Sequence, residues 1–392
     1  MRTEWQRKKL GEICELINGR AYRKPELLSE GKYRVLRVGN FFTNEHWYYS
    51  DMELEDRKYC EHGDLLYAWS ASFGPHIWTG DKVIFHYHIW KVVPDTKHID
   101  QRFLFYFLEW DKELLKLEEG AGTTMIHVSK GAMEERDIFF PSLLEQRYIV
   151  TVLDKALIAI TAARANAEEN RQNARILFEH YLQSIFSQSN EGWIEKSLGE
   201  MATFRNGVNF TKTSKGESIK ILGVKDFKNH YWAQMDSLDS IIPDGILPEG
   251  DILQQNDIVF VRSNGNPELI GRCVLIGEVH ERTTFSGFTI RARLFTKEVT
   301  PKYLCHFLKS SHIRRELVDG GNGANIRSLN QGALSRLRIN FPEKISDQHQ
   351  IIEQLEIMQA ETQRLESLYQ RKIDVLDELK QSLLHQAFSG KL

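Results

Sequence analysis

Residues 145–187 read EQRYIVTVLDKALIAITAARANAEENRQNARILFEHYLQSIFS, about 43 residues with neither proline nor glycine. Such a run predicts one uninterrupted helix, a rod of roughly 65 Å at about 1.5 Å per residue. Residues 347–389 form a second run of the same length and kind. In this second run Leu355, Met358, Thr362, Leu365, Tyr369, Leu376, Leu379 and Leu383 fall on alternating steps of three and four, with Lys372 as the charged break. In the first, Leu153, Ala156, Ile160, Ala163, Ala167, Ala174, Leu177 and Tyr181 hold the matching places, with Asn170 at the break. Charged and amide residues fill most of the remainder, as a coiled-coil seam requires. The first stripe is rich in alanine and the second is bulkier, so the two helices are expected to pack on each other. The alternatives are packing only on the chain's own globular parts, or pairing between chains.

The rest of the chain repeats as well. Trp5, Leu10-Gly11-Glu12 and Asn18-Gly19 recur as Trp193, Leu198-Gly199-Glu200 and Asn206-Gly207, a constant shift of 188. Phe103-Leu104 and Phe107-Leu108 recur as Tyr303-Leu304 and Phe307-Leu308 at a shift of 200, and Gln146, Leu153, Leu177 and Phe186 recur at 202. A fixed offset of this kind marks a tandem duplication. The parts before each helix, 1–144 and 188–346, hold all nine prolines. Their short apolar runs (Val35 to Val38, Asp64 to Ala68, His88 to Val93, Ile258 to Val261) read as strands, although periodicity alone leaves short buried helices open. The expected fold class is therefore mixed α+β: two α/β domains in tandem, at 1–144 and 188–346, each followed by a long helix, 145–187 and 347–392. Connectivity allows the second helix to return antiparallel, giving a coiled coil with pseudo-two-fold symmetry, a globular part at each end, and a C-terminus near the N-terminus.

Composition narrows the function classes. At 392 residues, 41% hydrophobic and 27% charged, the chain has material for two or three domains. No apolar run reaches the length of a membrane span, and Met1-Arg2-Thr3-Glu4-Trp5 lacks the apolar run of a secretory leader. Four scattered cysteines (Cys14, Cys60, Cys273, Cys305) suggest no disulfide framework and fit a reducing, cytoplasmic setting. The net charge is -3, so any nucleic-acid contact must come from local basic patches or be shared with a partner. No phosphate-binding G-x-x-x-x-G-K-[S/T], nucleophile-elbow or H-E-x-x-H motif is present, and no Pro-Pro pair of the kind adenine methyltransferases use. These absences favour a binding protein without catalytic residues. Cys60, His62, His86 and His88 are a weak candidate zinc set, because the second half carries Ser286-Gly287-Phe288 near the corresponding place. Satisfied histidines are the expected reading, and no metal ligands are assigned.

Order, duplication and spacing together resemble the specificity (S) subunit of type I restriction-modification enzymes. The carriers are Trp5…Leu10-Gly11-Glu12 and Trp193…Leu198-Gly199-Glu200, each opening a variable part. Pro141-Ser142-Leu143-Leu144-Glu145-Gln146-Arg147…Ile149 resembles the family's entry into its conserved helix, and Pro342…Asp347-Gln348…Ile351 is the second copy. The closing Phe388-Ser389-Gly390-Lys391-Leu392 is also similar to the family's. The resemblance spans essentially the whole chain, and related subunits of other bacterial defence systems share it. It implies two target recognition domains reading an asymmetric bipartite double-stranded DNA sequence, on a helical spacer that docks two methyltransferase subunits and, in restricting systems, two restriction subunits. S-adenosylmethionine, ATP and magnesium would belong to those partners, with no cofactor in this chain.

Candidate DNA contacts follow from residue type and turn context. Arg20, Tyr22, Arg23 and Lys24 follow the first Asn-Gly turn, and Lys212 and Lys215 follow the second. Ser70 and Ser72 lie in the stretch after one strand-like run, whose second-half counterpart is Arg262, Asn264 and Asn266. Arginine suits guanine and asparagine suits adenine. The glycine-rich stretches before each helix add Thr124, Asn325 and Arg327. Each candidate has an ordinary alternative as a solvated or turn-forming residue. For methyltransferase docking, Leu157, Ile158, Ile185, Phe186, Leu384 and Phe388 flank the seam as apolar anchors, the alternative being packing on the chain's own domains. The competing functions are a coiled-coil scaffold with duplicated protein-binding domains, and a metal-dependent nuclease built on the Cys/His set.

Overall fold

The computed structural model describes residues 5–42, 45–70, 73–118, 127–187, 192–211, 214–227, 231–319 and 328–392. The chain divides into two compact units, Met1–Glu168 with Arg371–Leu392, and Glu169–Gln370. Each unit therefore draws on both long helices, which run Leu143–Phe186 and Ile345–Phe388.

The duplication is visible in sheet order. Unit 1 holds a four-stranded sheet in the order Cys14–Asn18, Ile89–Pro94, Leu65–Ala68, Gly74–Ile77. Unit 2 repeats it as Ala202–Asn206, Thr289–Leu294, Ile258–Val261, Cys273–Leu275. A second sheet pairs Tyr33–Leu36 antiparallel with Tyr48–Ser50 and parallel with Val83–Phe85. Its copy uses Ile219–Leu222, Asp239–Ile241 and Thr283–Phe285 in the same way. The opening strand of each repeat, Gln6–Lys9 or Trp193–Ser197, pairs with the strand that enters the long helix, Asp137–Phe140 or Arg338–Pro342.

The repeated Gln146 and Gln348 are latches between domain and helix. Gln146 is fully buried; its amide donates to His98 O and Pro141 O (both 2.9 Å), and its Oε1 accepts from Asp100 N at 2.8 Å. Gln348 does the same with Glu298 O, Pro342 O and Thr300 N at 2.7, 2.9 and 2.9 Å. The closing Ser-Gly-Lys also has a local cause. Gly390 takes a φ of 70°, and Lys391 N bonds back to Gln386 O at 2.9 Å, a left-handed helix stop that glycine adopts without strain.

The helices pair antiparallel within each unit. Arg164 bonds Asp377 at 2.9 Å in unit 1, while Arg171 meets Gln370 and Arg175 meets Glu366 in unit 2. The seam departs from the expected heptads. Ala174 is buried as expected, but Leu177 and Leu379 are exposed (59% and 45%), and Ile373 and Leu182 are buried instead. The cause is geometric: a straight helix drifts about 20° per heptad from a strict 3.5-residue repeat, so the contact stripe takes an extra step of four.

The ends of the helices close the cores. Leu384, Ala387 and Phe388 are buried in unit 1, where Phe388 meets Phe103, Phe107 and Trp110 at ring distances of 5.2, 5.8 and 5.7 Å. Gly390 lies against the Trp5 ring, so the C-terminus does return to the N-terminus. In unit 2 Phe186 meets Tyr303 and Phe307 at 5.5 and 5.4 Å. This corrects the docking assignment. Phe186, Leu384 and Phe388 are core residues, Leu157 and Ile185 pack against those cores, and of the six only Ile158 is exposed, at 71%. Apolar residues beside a seam are satisfied first by the domain at that helix end. Among the described residues no helix is long and apolar enough to cross a membrane, and all four cysteines are free and buried.

Candidate nucleic-acid interface

Beyond each Asn-Gly turn the two units build one backbone lattice. Gly19 N donates to Ile89 O and Gly207 N to Thr289 O, both at 3.1 Å. Arg20 N bonds Phe85 O at 3.0 Å, matched by Val208 N to Phe285 O at 2.8 Å; Tyr87 N bonds Arg20 O at 3.0 Å, matched by Gly287 N to Val208 O at 2.8 Å. Trp69 N reaches His88 O at 3.1 Å as Arg262 N reaches Phe288 O at 2.8 Å. The carbonyls of those same two residues accept from Val128 N at 3.3 Å and Leu329 N at 2.8 Å. Trp69 and Arg262 are therefore structural equivalents, as are His86-Tyr87-His88 and Ser286-Gly287-Phe288. The repeated glycine is required here. A β-carbon on Gly19 would fall well inside contact with the Phe85 and His86 carbonyls, and on Gly207 with those of Phe285 and Ser286. Gly207→Ala is expected to displace this turn and cost about 1–3 kcal/mol, read as a lowered urea midpoint for unit 2 and lost sequence-specific DNA binding.

Side chains on this lattice differ completely. Unit 1 presents an aromatic surface: Trp69 lies 5.0 Å from His88 and 5.9 Å from Tyr87, and the Tyr87 and His88 rings are 3.9 Å apart. The Trp69 indole N–H donates to Tyr87 O at 2.7 Å. Burial, then His88 and Arg37, lower the His86 pKa to about 4, so this imidazole is neutral near pH 7. Unit 2 offers a half-buried Arg262 and Phe288, which is 59% exposed.

The expected contacts fare unequally. Arg23 and Lys24 are exposed at the loop tip. Arg20 forms an ion pair with Glu26 at 2.8 Å, and Glu26 is held below the usual carboxylate range by the Arg23 amide and by Arg20. Tyr22 is drawn inward: it stacks on His86 with ring centroids 6.3 Å apart, and its hydroxyl is buried with no hydrogen-bond partner among the described residues. Ser70 is 6% exposed and forms a backbone bridge with His127, which corrects its assignment as a groove contact. Asn264 Oδ1 accepts from Asn266 N at 2.8 Å and Asn266 Oδ1 from Glu268 N at 3.0 Å, so both carboxamide oxygens shape the turn. Lys215 is exposed, with its backbone held by Asp244 and Gly245. Ser72, Thr124, Lys212, Asn325 and Arg327 lie outside the described residues.

Sequence reasoning did not place His86, Tyr87, His88 and Phe288 on this surface. They were legible as an unlike tripeptide behind a shared phenylalanine, Phe85 and Phe285, at the 200-residue shift. As metal ligands the Cys/His set is dispersed. Cys60 sits in the core beside Leu36, Leu66 and Phe85, with burial pushing its thiol up to about 12. His62 is exposed, with Nδ1 3.1 Å from Thr79 O. Among the described residues no group of three metal-ligating side chains is assembled.

Known proteins share this architecture. The chain is 23% identical over 295 residues to the StySPI specificity subunit of Salmonella potsdam, a match covering 69% of this chain and 61% of that protein. It is 20% identical to the EcoBI specificity subunit of Escherichia coli, covering 99% and 86%. A solved structure described as the basis of complex assembly and conformational transition of the type I R-M system matches with a TM-score of 0.77 at 17% identity, covering 99% of this chain and 98% of that one. The HsdS subunit of Thermoanaerobacter tengcongensis matches at 0.55 and 16%, covering 99% and 97%. The model of the type I restriction modification DNA specificity domain matches twice, over residues 2–170 and 190–373, one match for each copy of the repeat. The chain belongs to the type I restriction-modification DNA specificity family.

Proposed function

We propose that this chain is the non-catalytic subunit that sets DNA sequence specificity for a type I restriction-modification enzyme, reading an asymmetric bipartite target with one half-site for each unit. The observation that carries the reading is the shared lattice with unlike side chains. Two copies of one scaffold suit the symmetry of duplex DNA, while Trp69, His86, Tyr87 and His88 in one copy and Arg262, Ser286, Gly287 and Phe288 in the other give the halves different chemistry. Adenine modification is assigned to two methyltransferase subunits, with S-adenosylmethionine, ATP and magnesium held by the partners. Docking falls to apolar residues that the chain leaves exposed on its helices, Leu144, Tyr148 and Ile158 in unit 1 and Ile176, Leu177 and Ile357 in unit 2. The partners also share phosphate contacts, which accounts for specific binding by a chain of net charge -3.

The test is to map modified adenines in DNA exposed to this chain with its methyltransferase partner. The expected result is a split motif with two unlike halves. Binding of the complex to that motif should fall about 10³- to 10⁵-fold between roughly 50 and 200 mM salt if six to ten phosphates are contacted. A continuous or palindromic motif, or modification independent of this chain, overturns the reading.

A further inference from the structure

We propose that Trp69 with His86-Tyr87-His88, and Arg262 with Ser286-Gly287-Phe288, are the specificity-determining positions of the two readers, and that Arg262 takes a guanine edge in the half-site of unit 2. The inference rests on the reading of the chain as a DNA specificity subunit and adds which side chains discriminate and by what chemistry.

Backbone equivalence is the first support. A residue at the Trp69/Arg262 position leaves the end of a buried strand, Leu65–Ala68 or Ile258–Val261, with both its N–H and its C=O fixed by neighbouring segments. Its Cα is thus placed alike in both units whatever the side chain. The facing tripeptide is fixed at its first residue, where His86 N bonds Leu36 O at 2.9 Å and Ser286 N bonds Leu222 O at 3.0 Å. Variation at these positions changes what is presented without moving the frame that presents it.

Donor supply separates the two readers. Arg262 carries a planar fork of N–H donors, which matches guanine O6 and N7 together. Trp69 has one donor, already given to Tyr87 O, so at that position unit 1 offers only an apolar ring. Contact with a thymine methyl or a sugar suits such a ring. Asn264 and Asn266 have committed their oxygens to backbone N–H groups. Each of these side chains is thereby turned toward its own backbone, and Arg262 with its donor fork is the member of the turn best suited to discriminate.

Motif mapping with the intact complex tests this, using the wild type, Arg262→Ala and Arg262→Lys. For Arg262→Ala the expected result is relaxation at one position, a guanine, in one half-site only, with discrimination there reduced about 10- to 100-fold. The other half-site stays unchanged. Arg262→Lys should keep part of the preference, and the thermal unfolding of both variants should match the wild type. A split wild-type motif that survives Arg262→Ala in both halves overturns the inference and leaves the specificity reading standing. Uniform weakening on all sequences with a shallower salt dependence also overturns it, since that marks a phosphate contact. A wild-type complex with no split motif is the separate failure of the underlying reading.

Discussion

Phe388→Ala is expected to destabilise unit 1 by about 3–5 kcal/mol, the usual cost of emptying a buried phenylalanine site. The residue lies four positions before Leu392, in a terminal stretch where truncation is ordinarily harmless. Here its ring is 6% exposed and fills the space between Phe103, Phe107 and Trp110, with the adjacent Ala387 and, one turn earlier, Leu384 wholly buried. Hydrogen exchange followed by mass spectrometry, unit by unit, checks this: protection should fall along the helix Gln101–Glu118. A docking residue would behave differently, leaving exchange in the isolated chain unchanged and weakening only the methyltransferase complex. That outcome would restore Phe388 as a docking residue.

The second large effect is expected at Gln348. Gln348→Leu keeps the volume but strands three backbone groups, Thr300 N, Glu298 O and Pro342 O, that the carboxamide now satisfies. Each unpaired buried group costs about 1–3 kcal/mol, so a loss of about 3–5 kcal/mol in unit 2 follows. Gln348→Glu should not rescue it: the carboxylate still accepts from Thr300 N but faces two carbonyls with no proton to give. Equal loss from Gln146→Leu in unit 1 would confirm that both copies of the motif do the same work. Urea unfolding of the three variants is the measurement, and wild-type midpoints for the leucine variants would refute the latch.

Much of the architecture was legible because it rests on local rules. The proline-free and glycine-free runs became helices of 44 residues each, and the repeat became two copies of one sheet order. The pairing of the helices followed from alanine facing bulkier side chains, and its antiparallel sense from the connectivity. What escaped was whatever depends on the third dimension. Leu177 and Leu379 satisfy a heptad count yet turn to solvent, because the drift of a straight helix accumulates beyond what a fixed repeat records. Phe186, Leu384 and Phe388 looked like exposed anchors because nothing in their own segments announces the aromatic helix that covers them. The proposed interface was half legible. Arg262 and its turn stood out by residue type, while His86, Tyr87 and His88 drew attention only as possible metal ligands. Ser70 illustrates the reverse error: a small polar residue after a strand suggests access, but a backbone bridge to His127 closes it.

The last 22 residues belong to the unit formed by the first 168, and this bears on biosynthesis. A ribosome releases the amino-terminal domain long before it has made Leu384 and Phe388, so the nascent first reader must wait, with Phe103 and Phe107 uncovered by Phe388, until translation has passed them. A frameshift or early stop before Leu384 therefore leaves the first core open, and one before Gln370 truncates the second unit as well.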